Sequence, residues 1–162
     1  MPHSATLAAA SASVEKRETR NEKLTHGLLP LLARILVTPV FLQAGIAKVF
    51  SWQGNVQYVA TRHITWPPLV ALMLGGAAAI EIFAGLAVLL GFKTRPAALI
   101  MFFYTLVLSV IFHNFWALQG MSAAMNQTHF LKNMGIAAAL AMLAAYGPGI
   151  WSVDARRARI EN

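Results

Sequence analysis

Residues 69–92 read LVALMLGGAAAIEIFAGLAVLLGF, and this run decides the fold. It contains one ionisable residue, Glu81, and no proline. An amphipathic helix of a soluble bundle keeps one polar face, and this stretch has none. At about 1.5 Å of rise per residue, a helix of this length crosses the ~30 Å hydrocarbon core of a bilayer. The run therefore reads as a transmembrane helix.

Three further spans follow from working outward. Lys93-Thr94-Arg95-Pro96 is too short to cross back, so the next apolar block, residues 97–118, must be an antiparallel neighbour. Upstream, residues 28–50 form a first span, with Pro30 in its first turn, where a missing N–H costs little. Downstream, a polar loop at 119–128 leads to a fourth span at 129–146, stopped by Gly147-Pro148-Gly149. The connection 51–68 holds Trp52, Tyr58, Trp66 and the Pro67-Pro68 pair, and room for a short interfacial helix. The expected fold is an all-α, integral membrane, antiparallel four-helix bundle.

Composition agrees. Hydrophobic residues make up 57% of the 162 and charged residues only 12%, about half the charged share of a soluble domain. With no cysteine, disulfides, thiolate metal sites and thiol catalysis are excluded. The net charge of +7 suits a membrane surface better than nucleic acid, because the cations lie beside the span ends. Trp52, Trp66, Trp116 and Trp151 each fall at or just beyond a span end, as an aromatic belt requires.

The domain organisation is then a polar N-terminal cytoplasmic arm at 1–27, a transmembrane domain at 28–150 and a basic cytoplasmic tail at 151–162. In the arm, the positive charges follow the Ala/Ser stretch instead of preceding it, so a signal peptide is not expected; a disordered or surface-lying arm is. Charge sets the orientation. Lys16, Arg17, Arg20, Lys23, Lys93, Arg95, Arg156, Arg157 and Arg159 fall on one side, and only Arg62 in the loops of the other. By the positive-inside rule both termini are expected in the cytoplasm.

Ionisable groups inside a span cost about 2.5–3.5 kcal/mol at mid-helix, so they face the bundle and mark function or packing. Glu81 lies halfway along span two, too deep to reach water, and must be protonated or paired. Arg34, Thr38, Phe41, Gly45 and Lys48 recur at steps of four and three, forming one inward stripe of span one that supplies its partner. His113 and Asn114 close span three, and Lys132 and Asn133 open span four, in the same half of the bundle as Lys48. The candidate ligand-binding set is Arg34, Lys48, Glu81, His113, Asn114, Lys132 and Asn133, with Glu81 and His113 as candidate catalytic residues. No pair among His63, His113 and His129 has metal-ligand spacing, so no metal site is expected. A phosphate loop, a dinucleotide fingerprint and a nucleophile elbow are all missing from the sequence.

The runs Leu32-Ala33-Arg34-Ile35-Leu36 and Phe41-Leu42-Gln43-Ala44-Gly45-Ile46-Ala47-Lys48 resemble the first span of the DoxX family. So do Glu81-Ile82-Phe83-Ala84-Gly85-Leu86 ahead of Leu90-Gly91-Phe92-Lys93-Thr94-Arg95, then Phe130-Leu131-Lys132-Asn133-Met134, and the closing Gly147-Pro148-Gly149-Ile150-Trp151-Ser152-Val153-Asp154. The resemblance implies a small, four-helix protein of the bacterial inner membrane. It further implies a link to quinone-dependent or thiol-stress oxidoreductase complexes, with electrons coming from a membrane or soluble redox partner. On that basis the first functional reading is a quinone-linked membrane subunit, binding a quinone head group or small oxyanion in the polar pocket. The alternatives are a non-catalytic membrane scaffold and a small transporter, the latter requiring an oligomer. The expected partners are the lipid bilayer and that redox protein, with no nucleic acid.

Overall fold

The computed structural model describes residues 14–161, so the part of the N-terminal arm at 1–13 lies outside the described residues. All regular structure among the described residues is helical. Helix α1 runs Val14–Phe50, α2 is Trp52–Ala60, α3 is Pro67–Leu90, α4 is Thr94–Phe112, α5 is Gly120–Tyr146 and α6 is Val153–Glu161. Four of these helices, α1, α3, α4 and α5, are long and apolar enough to cross a membrane. α1 packs on α3 and α5, and α4 packs on the same two, which closes a bundle with α3 and α5 on one diagonal.

The core on the bundle axis is Val37 and Phe41 of α1, Val88 of α3, Ala97, Ala98 and Met101 of α4, and Leu140 and Leu143 of α5. A second cluster, Val59, Val70, Leu74 and Phe112, lies under the short α2, which closes the end of the bundle away from the termini. Leu36, Leu72, Phe83 and Leu131 point outward and are exposed. In water that would be an aggregation surface, whereas in a bilayer it is the face the lipid tails wet.

The helix ends depart from the spans read from hydropathy at three places, two longer and one shorter. Residues 14–27, expected as part of a disordered or surface-lying arm, continue α1 as helix, because the Glu, Lys and Arg residues there are strong helix formers. The polar loop expected at 119–128 is the start of α5, since Ser122, Asn126 and Thr128 make the segment too polar for a hydropathy window without breaking a helix. Span three ends earlier than expected, at Phe112. His113 and Asn114 sit in the break before a single 3-10 turn at Phe115–Ala117.

At the end that carries the termini, the chain locks itself. Gly91 takes φ +71° and closes α3 with Phe92 N–H donating to Ala87 O at 2.9 Å, the left-handed helix stop that glycine permits. A Cβ on Gly91 would lie 2.4 Å from Ser152 Cβ, so only glycine lets the closing segment approach this closely. Asp154 then accepts from Lys93 N–H at 2.8 Å, Thr94 N–H at 3.0 Å and Thr94 Oγ1 at 3.1 Å, capping the free N–H groups of α4. Its own N–H donates to Gly91 O at 2.9 Å. Ile150 N–H donates to His26 O at 2.7 Å, which ties the same segment to α1 beside the π turn Leu24–Leu28.

Candidate functional site

The deepest polar centre lies between α1, α3 and α4. Lys48 Nζ donates to both oxygens of Glu81, at 2.8 and 2.7 Å, and Tyr104 Oη donates to Glu81 Oε1 at 2.6 Å. The Glu81 side chain is 3% exposed and that of Lys48 17%. A buried carboxylate is tolerable when a cation and further donors surround it, and this one has both. Among the described residues it is the one ion pair.

The backbone explains how the three meet. Residues Ile80–Ala84 of α3 form a π turn, which slips the helix by an extra residue and interrupts its ordinary ladder. Opposite the turn stands Gly45 of α1, where an added Cβ would come within 2.9 Å of Glu81 Cβ and 2.8 Å of Ile82 Cγ1. The missing side chain thus lets α1 approach the bulged segment, and Lys48, three residues further along the same stripe, reaches across to the carboxylate. One turn below, Gly85 faces α1 as well, with Leu42 Cδ2 at 3.2 Å from its would-be Cβ. The π turn and Tyr104 have no counterpart in the sequence reading. A tyrosine in mid-span, away from the interfacial belt where tyrosines collect, is the signal that could have found the latter.

The remaining candidates do not converge on Glu81. Arg34 is fully buried near the termini and spends its fork on backbone carbonyls. Nε donates to Val88 O and Leu89 O at 3.1 and 3.2 Å, Nη2 to Leu89 O at 2.8 Å, and Nη1 to Pro148 O and Trp151 O at 2.9 Å each. These carbonyls lie at the C-terminal end of α3, where Val88 O also accepts from Gly91 N–H at 3.1 Å, and in the closing segment after α5, so Arg34 acts as a shared helix cap.

At the opposite end, His113 Nδ1 lies 3.4 Å from Asn126 Oδ1, and its ring stacks on His129 with centroids 5.1 Å apart. Asn114 Oδ1 accepts from Arg62 Nη1 at 3.1 Å, while Arg62 Nη2 holds the Phe112 carbonyl at the end of α4. Asn133 Nδ2 donates to Ser109 Oγ at 3.0 Å and so ties α5 to α4. Lys132, one position earlier on the helix, is rotated about 100° from Asn133 and stands exposed. The seven candidates therefore divide into an ion pair in mid-bundle, a cap at the terminal end and a polar cluster at the far end. Arg62, Asn126 and His129 join that last cluster without having been anticipated in it.

Comparison with known proteins completes the picture. The DoxX family model matches residues 29–114 and the SURF4 family model residues 77–160. The chain is 40% identical over 129 residues to inner membrane protein YphA of Escherichia coli strain K12, covering 80% of this chain and 90% of that protein. It is 36% identical over 126 residues to inner membrane protein YqjF of the same organism, covering 76% and 88%. No solved structure matches it. This chain belongs to the DoxX family of membrane proteins.

Proposed function

We propose that this DoxX-family chain is a multi-pass subunit of the bacterial inner membrane, with both termini in the cytoplasm, and that it presents the Lys48–Glu81–Tyr104 triad to a quinone head group within a redox complex. The inner-membrane assignment follows the two relatives, and the orientation follows the lysine and arginine count. The observation that carries the reading is the hydrogen-bond inventory of the triad. Lys48 spends two bonds on Glu81 and has a third N–H to give, at a partly exposed corner of the centre. The phenol oxygen of Tyr104 retains its acceptor capacity after donating to Glu81. A ring carbonyl fits such a corner, because it accepts from an ammonium and lies beside groups that hold protons.

A quinone, when bound, takes up two electrons and two protons. Lys48 would orient and hydrogen-bond its oxygen, Tyr104 would accept from the hydroxyl of the reduced ring, and Glu81 would hold the proton that Lys48 or Tyr104 releases. The electrons belong to a partner protein.

A second reading is favoured by the direct Lys48–Glu81 contact itself: a structural pair that fixes helix packing in a membrane scaffold. Glu81→Gln separates the two. Under the quinone reading, gently purified parent carries quinone in its lipid-soluble extract and the variant loses it, whatever the stranded Lys48 charge costs in melting temperature. A quinone-free parent whose Glu81→Gln variant melts well below it would overturn the quinone reading in favour of the scaffold.

A further inference from the structure

Beside the end of α3 the closing segment leaves a groove of about 330 Å³, lined by Leu90, Ile150, Trp151, Arg156 and Arg159 together with the start of α6. Its two halves have different chemistry. Leu90, Ile150 and Trp151 are apolar and more than a third exposed, and Leu90 is on the lipid-facing side of a span. Arg156 and Arg159 are three residues apart on α6, one helical turn, and both are exposed. Of the carboxylates nearest in sequence, Asp154 already caps α4, and among the described residues Glu161 enters no ion pair and none engages either arginine. Arg157, between them, is turned away and lies over the Phe92 ring at 4.8 Å.

We propose that this groove is a binding site for an anionic phospholipid. The phosphate sits between the guanidinium groups of Arg156 and Arg159, whose planar forks match its oxygens. The glycerol and the upper acyl chain lie along Trp151, Ile150 and Leu90, the indole at headgroup depth. Basic pockets beside span ends are where such headgroups collect. The groove is held open in advance. Arg34 fixes the Trp151 carbonyl, Ser152 Oγ accepts from Ala155 N–H at 3.1 Å, and the Asp154 cap anchors the start of α6, so binding need order little more than two side chains. The proposal is independent of the quinone reading and of orientation, since it uses neither the triad nor the side of the membrane.

The test uses the full chain in mild detergent. Native mass spectrometry follows retention of phosphatidylglycerol against phosphatidylcholine with the same acyl chains. The parent should favour the anionic lipid. Arg156→Gln/Arg159→Gln should lower that preference roughly 25-fold, about five-fold per arginine, while Arg157→Gln should keep it. Equal retention of both lipids by the parent overturns the site, even before a variant is made. An unchanged preference in the double variant, or an equal loss in Arg157→Gln, overturns it as well. Displacement of the lipid by millimolar inorganic phosphate would assign the arginines to a free anion instead.

Discussion

Glu81 and Lys48 are worth more as a pair than either is alone. Removing one partner strands a charge that the other was neutralising, at a cost of about 3–5 kcal/mol, whereas replacing both with apolar residues of similar volume is close to neutral. Lys48→Met should therefore sharply lower the melting temperature in detergent, and Lys48→Met/Glu81→Met should recover most of the loss. Tyr104→Phe removes one hydrogen bond to a charged oxygen and should cost about 1.5–3 kcal/mol. If Lys48→Met and the double variant melt together, the coupling between the two charges is absent. This pair was legible in the sequence because a lone carboxylate in an apolar run has to find a cation, and the stripe on span one held two. The choice between Arg34 and Lys48 was not legible. It depends on Arg34 lying level with open carbonyl ends and Lys48 level with the π turn, and both levels are set by the packing of several helices.

At the scale of the helix, the α1–α3 contact is built around glycine. Gly45 has no room for a Cβ against Glu81 and Ile82, Gly85 has a tight fit against Leu42, and Gly76 has nothing within 4 Å. The three positions should respond in that order. Gly45→Ala should overpack the contact and cost about 1–3 kcal/mol. Gly85→Ala should cost less, because a leucine methyl can yield. Gly76→Ala should be neutral or stabilising by about 0.5–1 kcal/mol, the usual gain of alanine over glycine inside a helix. Equal melting temperatures for Gly45→Ala and Gly76→Ala would show that the helices do not approach at the bulge. The inward direction of Gly45 and Gly85 could be read from periodicity, since each shares a stripe with a charge. Helix ends were harder to place. Hydropathy reports what enters lipid, while helix formation depends on propensity and caps, so α1 begins well before its span and α5 begins at Gly120 among polar residues. The π turn at Ile80–Ala84 leaves no mark in composition at all.

For the whole molecule, five of the six runs that carry the family resemblance have two jobs. Leu32–Leu36, Leu90–Arg95 and Gly147–Asp154 meet at the terminal end through Arg34, Gly91 and Asp154, and the Glu81–Leu86 run forms the mid-bundle centre with Lys48. The lock places both described termini at one end of the bundle, and charge then decides which side of the membrane that end takes. Nine lysines and arginines flank the spans there, against Arg62 in the opposite loops. Cationic flanks resist translocation, so the terminal end should stay in the cytoplasm. The far end offers an insertion point at Leu118–Gln119, where the chain is extended between the 3-10 turn and α5, so that a reporter there breaks no helix. A reporter that is active only in the cytoplasm should work when fused after Ile160 and be silent between Leu118 and Gln119. A periplasm-dependent reporter at the same two places should show the reverse. Agreement of both reporters on the opposite assignment would invert the orientation while leaving the bundle, the triad and the lock as they are.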